Sequence, residues 1–576
     1  MKINPNILFA SAFLHRLYHA GLRHIVISPG SRNTPLVFAA VRVSKFNLYS
    51  VLDERSAGFY ALGIAKGVQE PVMLISTSGT AAAEYYPAVI EAAMTGVPLL
   101  ICTADRPERL TGTGANQTIF QEGMYGRHIQ ESLKYEVRGT SAEEIDQFLM
   151  VTARALHKLY QNPSAPVHLN FRFDTPLEPG QKTLEFTEKE AKKLTREPLS
   201  PVKESGNQLL NPYQIPELRK DTLNAGKGER GMILVGPHPP EREFEKFVIA
   251  LSKATGYPIM ADGVSGLRGR HRQVLGGFSV IAKSREIGSI LPDLIIQCGQ
   301  WSTSRSIENF IREHGSRMIV IPFKGKIIDP LGSAIGYSSE PYDLLRQAVQ
   351  TKHANLLYFN TLHNLSQIHT SVISQHFHSK SGSKKKQIRE HLIGNIICGS
   401  IEKFTNIVIG NSMVVRDWDD FCINIPRTTR VFSNRGASGI DGLIATGFGV
   451  ATGSRTRTIL IIGDNAFFYD LNSLLLARRS KFPLTIVVVN NGGGRIFEHL
   501  PVAEEQDFPK EFYLTSQTVL IKDIARTFGL PYLRAEHEGA LAGAVEKGVQ
   551  LKSSCIIEAV VDAPSSIADR KHLTEK

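Results

Sequence analysis

Cysteine is scarce and scattered in this 576-residue chain: Cys102, Cys298, Cys398, Cys422 and Cys555, an odd number with no Cys-x-x-Cys pair. That excludes an obvious zinc site or disulfide framework and fits a reducing cytosol. Long apolar runs are also missing. The longest, such as Leu484–Val489 broken only by Thr485, are strand-sized and far short of the ~18 residues of a membrane span. The start, Met1-Lys2-Ile3-Asn4-Pro5, lacks the basic-then-apolar layout of a signal peptide, so a cytoplasmic protein is expected. Acidic residues are absent from residues 1–50, which hold six basic ones, and residues 351–400 hold six basic and one acidic. These two windows account for the whole formal charge of +11. A nucleic-acid binder spreads basic residues along a face with interleaved aromatics, so nucleic acid is not expected as a partner.

What is present describes a soluble globular chain, 42% hydrophobic and 21% charged, long enough for two to four domains of ~150 residues. In residues 1–180, apolar runs at His24–Ile27, Val72–Ile75 and Leu99–Cys102 each end in turn residues and give way to helical patterns. Strand, loop and helix in repetition imply a parallel sheet with crossover helices. A Lys-, Glu- and Pro-rich seam at 181–208 reads as a linker. A central α/β stretch follows at 209–364, with strands at Met232–Val235, Leu294–Ile296 and Met318–Ile321. A second polar seam at 365–388 contains Lys384-Lys385-Lys386 and reads as a solvated tether. Residues 389–576 repeat the logic of the first stretch. The expectation is three doubly wound parallel α/β domains, with ligands beyond the carboxyl ends of the strands.

Gly226-Lys227-Gly228-Glu229-Arg230-Gly231 matches the dinucleotide pattern G-x-G-x-x-G. It precedes a strand, whereas the phosphate-binding turn follows one and opens a helix, so it reads as an entry loop. The stronger signal is Gly463-Asp464, then twenty-five residues, then Asn490-Asn491. Each half closes an apolar strand, which puts both on one rim of a parallel sheet. A carboxylate, an amide oxygen and a backbone carbonyl from Gly492-Gly493-Gly494 make a hard oxygen site for Mg²⁺ that leaves positions for phosphate oxygens. Ordinary turn chemistry accounts for either half alone; the pair at this spacing points to a metal–diphosphate site. Leu52-Asp53-Glu54-Arg55 stands before a helical pattern, where acidic residues suit a helix N-terminus.

The Gly-Asp…Asn-Asn spacing resembles the signature of thiamine-diphosphate enzymes, with Asn465 where most of that superfamily has glycine. Ser28-Pro29-Gly30-Ser31-Arg32-Asn33, Thr103-Ala104-Asp105-Arg106-Pro107, Gly114-Ala115-Asn116-Gln117, Gly410-Asn411-Ser412-Met413-Val414-Val415-Arg416, Ser433-Asn434-Arg435-Gly436-Ala437-Ser438-Gly439-Ile440-Asp441-Gly442, Tyr469-Asp470-Leu471-Asn472 and Arg495-Ile496-Phe497 together resemble one family within it. These are the 2-succinyl-5-enolpyruvyl-6-hydroxy-3-cyclohexene-1-carboxylate (SEPHCHC) synthases of menaquinone biosynthesis. The resemblance is dense in the outer stretches and thin in the central one.

The resemblance implies a pyrimidine-binding domain at 1–180 and a diphosphate-binding domain at 389–576. It implies Glu54 as the catalytic residue at N1′ of the aminopyrimidine, with Ser78, Gly79, Thr80, Ile440, Gly463, Asp464, Asn491, Ile496 and Phe497 toward the cofactor. Ile440 matches an apolar wedge; Ile496, Phe497 and Leu500 match pocket-lining residues, for which core packing is the competing role. Asp464, Asn491 and the Gly493 carbonyl match the ligands of Mg²⁺ or Mn²⁺. The implied reaction decarboxylates 2-oxoglutarate and adds the succinyl carbanion equivalent to isochorismate in conjugate fashion. Four substrate carboxylates call for arginines, whose planar forks bind carboxylate bidentately. Ser412, Arg416 and Arg435 match the succinyl side, and Ser31, Arg32, Arg106, Asn116 and Gln117 the isochorismate side. The four arginines Arg32, Arg106, Arg416 and Arg435 are expected in loops after strands. The family has Lys-Arg where this chain reads Ser304-Arg305-Ser306, leaving Arg305 as the retained cation. Glu54 and Asp464 on different domains imply active sites between two chains, in a homodimer or dimer of dimers.

Other readings stand beside this one. Within the cofactor class, the chain is a 2-oxo acid decarboxylase or acetolactate-synthase-like enzyme. Outside it, the chain is a dinucleotide-dependent oxidoreductase or a non-catalytic scaffold. The placement of Gly226–Gly231 speaks against the oxidoreductase, and retention of Glu54, Asp464 and Asn491 against the scaffold.

Overall fold

The computed structural model describes residues 3–43, 45–161, 164–180, 184–199, 214–218, 229–238, 241–283, 291–314, 316–351, 355–378, 386–401 and 404–575. Among the described residues, eighteen strands form three six-stranded sheets, parallel throughout. The first has the order β2 (Asn47–Ser50), β1 (His24–Ile27), β3 (Val72–Ser76), β4 (Leu99–Asp105), β6 (Val167–Arg172), β5 (Glu131–Glu136). The third repeats that order: β14 (Val431–Ser433), β13 (Asn406–Ile409), β15 (Thr458–Gly463), β16 (Leu484–Asn490), β18 (Cys555–Val560), β17 (Tyr532–Ala535). Two stretches of unlike sequence thus share one topology. Their central strands are rich in Val, Ile and Leu because helices cover both faces; β3, β4 and β6 are buried along their whole length, the polar residues of β6 included.

The middle sheet differs. Its order is β12 (Ala334–Tyr337), β11 (Arg317–Val320), β10 (Leu294–Cys298), β7 (Gly231–Val235), β8 (Ile259–Ala261), β9 (Val274–Leu275), the order of dinucleotide-binding folds. The turn after β7, Gly236-Pro237-His238, lacks the glycine fingerprint, and Gly231 opens β7 rather than following it. Residues 226–228 of that decoy lie outside the described residues.

Both seams hold more structure than a tether. A helix spans Leu184–Leu194. Arg16, buried on the helix Pro5–His19, donates to the carbonyl oxygens of Leu194 (2.5 Å) and Glu197 (2.7 Å), which fastens the segment down. The second seam begins inside a helix, Leu356–His378, whose Ile373 packs with Phe421 and Leu573. Its polar composition hid a half-buried helix. Lys384 and Lys385 lie outside the described residues.

By packing, the chain forms two compact units: residues 1–207 with 434–455 and 470–482, and residues 208–433 with 456–469 and 483–576. The reason that 434–455 joins the first unit is a pair of glycine-faced helices, Glu54–Val68 and Leu443–Ser454. A Cβ on Gly63 would lie 2.3 Å from the Thr446 carbonyl oxygen, and one on Gly449 2.2 Å from that of Tyr60. Only glycine lets the two backbones meet this closely. Among the described residues, no helix is long and apolar enough to cross a membrane, and all five cysteines are buried.

Candidate active site

In the first unit, Asp53 caps the helix Glu54–Val68 by accepting the Ser56 amide at 3.2 Å, which leaves Glu54 at the first helical position. Its carboxyl is half-buried, and burial raises its pKa above the ordinary carboxylate value; Asp53 and Glu84 push the same way. The loop after β1 brings Arg32 to the loop after β4. Arg32 donates to the Phe173 carbonyl oxygen at 3.1 Å, and its amide to Thr77 Oγ1 at 3.3 Å. Burial, then the neighbouring Arg106 charge, lowers the Arg32 pKa, against Asp174 and Asp105. Arg106 Nη1 donates to Ser78 Oγ (2.6 Å) and the Gln117 carbonyl oxygen (2.7 Å), and Gln117 Nε2 donates to the Ser78 carbonyl oxygen (2.9 Å). Gln121 Oε1 accepts the Gly79 amide at 2.9 Å. Arg32, Ser78, Gly79, Arg106 and Gln117 therefore converge, with Ser31, Thr80 and Asn116 exposed beside them.

Arg435 and Ile440 also belong to this unit, on a loop held from beneath. Glu91, buried on the helix Tyr86–Thr95, accepts the amides of Gly436 (3.0 Å) and Ala437 (2.7 Å). Lys66 Nζ donates to Asn434 Oδ1 at 2.7 Å and pairs with Glu91 at 3.5 Å. Neither clamp residue was foreseen, although Glu91 is the one charge of its helix and Lys66 stands alone in the apolar run that ends the helix Glu54–Val68.

In the second unit, the register of β15 and β16 aligns Gly463 with Val489, so Asp464 and Asn491 emerge on the same rim. Asp464 is buried. One carboxylate oxygen accepts the Asn465 amide (2.7 Å), the other those of Gly492 (2.9 Å) and Gly493 (2.8 Å). Gly493 has φ +117°, and a Cβ there would lie 2.3 Å from the Leu514 carbonyl oxygen. Its own carbonyl oxygen accepts the Arg495 amide at 2.8 Å and keeps a second lone pair. Asn465 donates to the Leu514 carbonyl oxygen (2.9 Å) and Thr515 Oγ1 (2.8 Å), which gives this departure from the usual glycine a role. Asn491 Oδ1 is buried without a hydrogen-bond partner. An orphaned amide oxygen beside a buried carboxylate is a donor set that fits a hard divalent cation.

Beyond this rim lies a cavity of 1140 Å³ lined by Arg305, Arg416, Ile496 and Leu500 among the expected residues. Ser412 takes a left-handed φ of +67° and opens the helix Met413–Phe421. Arg416 stands on that helix, not in a loop, because the turn at Ser412 starts the helix early; its Nη1 donates back to the Ser412 carbonyl oxygen at 2.6 Å. Arg305 likewise begins a helix, Arg305–His314. Phe497 packs against Tyr513, ring centroids 5.1 Å apart, and is not among the cavity's lining residues. Three cations that sequence reasoning missed line the cavity: Lys283, Arg570 and Lys571. Arg570 is ion-paired with Asp417, and burial pulls its pKa down to about 10. Distance along the chain hid them.

Residues 8–124 match the model of the thiamine pyrophosphate enzyme N-terminal TPP binding domain, and residues 418–559 that of the C-terminal TPP binding domain. Over 99% of its length the chain is 30% identical to a 2-succinyl-5-enolpyruvyl-6-hydroxy-3-cyclohexene-1-carboxylate synthase of Listeria innocua, covering 97% of that protein. It is 32% identical to the synthase of that name from Roseiflexus sp., covering 99% of this chain and 98% of the relative. For the Oceanobacillus iheyensis synthase the values are 31%, 97% and 95%.

Proposed function

We propose that this chain, which belongs to the 2-succinyl-5-enolpyruvyl-6-hydroxy-3-cyclohexene-1-carboxylate synthase family of thiamine-diphosphate enzymes, is the transferase its relatives' names describe. It converts 2-oxoglutarate and isochorismate into SEPHCHC and CO₂ in menaquinone biosynthesis. The observation that carries this reading is the joint presence of Glu54 at the start of one helix and the Asp464–Asn491 oxygen pair on one sheet rim.

Thiamine diphosphate, when bound, supplies the electron sink for decarboxylation. The chain supplies the rest. Glu54, its pKa raised by burial, would hold a proton at N1′ of the bound aminopyrimidine, the acid–base role this chain's own residue supplies. Asp464, Asn491 and the Gly493 carbonyl would hold Mg²⁺, or Mn²⁺, whose charge would offset that of the diphosphate. Ile440 supports the ring from an apolar side. Ser412, Arg416 and Arg435 receive the carboxylates derived from 2-oxoglutarate, with Arg305 and Leu500 lining their approach. Ser31, Arg32, Arg106, Asn116 and Gln117 orient isochorismate, so that the conjugate addition runs between held partners. The enzyme acts in the cytoplasm as a homodimer or dimer of dimers, each active site drawing Glu54 from one protomer and Asp464 from its partner.

Turnover of 2-oxoglutarate with isochorismate, measured against pyruvate alone, tests this reading. Release of CO₂ with formation of SEPHCHC is expected. Preference for pyruvate would instead favour an acetolactate-synthase-like enzyme.

A further inference from the structure

Asn491 has a neighbour that the metal-site motif does not include. Glu390 opens the short turn Glu390–Leu392 and is 8% exposed. Its amide donates to Ser566 Oγ at 3.1 Å, and both of its carboxylate oxygens lie 3.1 Å from Asn491 Nδ2. An ionised carboxylate only accepts hydrogen bonds, and the amide's only donor is its nitrogen. With Nδ2 gripped by the fork, Oδ1 is forced to the opposite side of the planar carboxamide, where it is buried and unpartnered. Flipping the amide would press an oxygen against the carboxylate and aim N–H groups at the metal position. The preceding residue shows the same device: Asn490 Nδ2 donates to Glu558 at 2.6 Å. A planar amide without such a grip holds both orientations at similar energy. The metal would then have to select one.

We infer that Glu390 is a positioning residue: it fixes the Asn491 carboxamide with Oδ1 toward the divalent cation, and so raises metal affinity without touching the metal. Ser566 holds the Glu390 backbone; burial raises the Glu390 pKa, and the Arg570 charge and the Asn491 hydrogen bond oppose that rise. The inference rests on the reading of Asp464 and Asn491 as metal ligands. Partners of metal ligands typically govern about 10–100-fold in metal affinity.

The test is titration of Mn²⁺ into the full-length protein with thiamine diphosphate present, free Mn²⁺ being read by electron paramagnetic resonance. Metal-free thermal melting is recorded alongside. Glu390→Gln is expected to weaken Mn²⁺ binding by about 10–100-fold. Adding Asn491→Asp to it exchanges donor and acceptor across the contact at unchanged net charge, and is expected to restore most of the loss. A merely structural Glu390 would give equal losses in the wild-type and Asn491→Asp backgrounds, and that result overturns the inference. So does Mn²⁺ affinity within about threefold of wild type in Glu390→Gln, well below the usual effect, when Asn491→Ala has weakened it. If Asn491→Ala leaves Mn²⁺ affinity unchanged, the metal-ligand reading falls first.

Discussion

Lys66 and Glu91 form an ion pair sealed from solvent, Nζ to Oε1 3.5 Å, and the same carboxylate holds the backbone of the loop that carries Arg435. Burial pulls the Lys66 pKa below its ordinary value, while Glu91 pushes it back up. Removing one partner leaves a buried charge uncompensated, which costs about 3–5 kcal/mol. Glu91→Ala is therefore expected to lower the unfolding midpoint in urea sharply and, at temperatures where it stays folded, to raise KM for 2-oxoglutarate. Wild-type stability would show the pair to be dispensable.

Glu54→Gln keeps the shape of the side chain but removes its proton exchange. Decarboxylation should fall below detection while circular dichroism and melting stay as in wild type. Mixing this variant with Asp464→Ala under conditions that exchange subunits should restore part of the activity, because some sites then combine intact halves. No recovery on mixing would place both residues in sites of one chain.

The cavity cations can be ranked by contact. Arg416→Ala removes a charged hydrogen-bond donor worth about 1.5–3 kcal/mol and should raise KM for 2-oxoglutarate by about 10–100-fold. Lys283 lines the same cavity where Ser304 and Ser306 carry no charge. Lys283→Ala should raise KM by a smaller factor, with kcat little changed. A rise in neither KM would detach this cavity from the dicarboxylate substrate.

Asp470 accepts the amides of Ile444 (2.8 Å) and Ala445 (3.2 Å) and the Ser473 hydroxyl (2.7 Å). Burial nonetheless pushes its pKa up to about 6. Between the unfolded carboxyl value near 4 and about 6, the folded chain binds the proton that the unfolded chain has released. This group's contribution to stability is thus complete at the acid end and is lost as pH rises through that window. Urea melts of wild type and Asp470→Asn should show the wild-type advantage shrinking from pH 4 to pH 6. An advantage that grows over that range would contradict the assignment.

Much of the fold was legible because a parallel strand buried on both faces has to be a short apolar run, and its turn residues mark where side chains leave the sheet. His24–Ile27 was located from that pattern alone, and Val72–Ile75 and Thr458–Ile462 each fall one residue short of the observed strands. Asp464 and Asn491 were legible for the same reason, each following a strand by one or two residues. Arg416 was misplaced in a loop because nothing local announces that a non-glycine residue, Ser412, adopts a left-handed φ and starts the helix there. The seam at 365–388 was misread because the helix Leu356–His378 is mostly polar, and its burial comes from neighbours far along the chain.

By itself, the sequence determined the three parallel sheets, the glutamate at a helix start and the carboxylate and amide side chains on a strand rim, since these depend on periodicity and short spacing. Only the tertiary structure decided which groups support them. Glu91 meets Gly436 across 345 residues, Glu390 meets Asn491 across 101, and Arg570 reaches a cavity shared with Lys283. Such pairings follow from how helices and sheets pack. Packing couples positions through shared burial and charge, which no local pattern encodes.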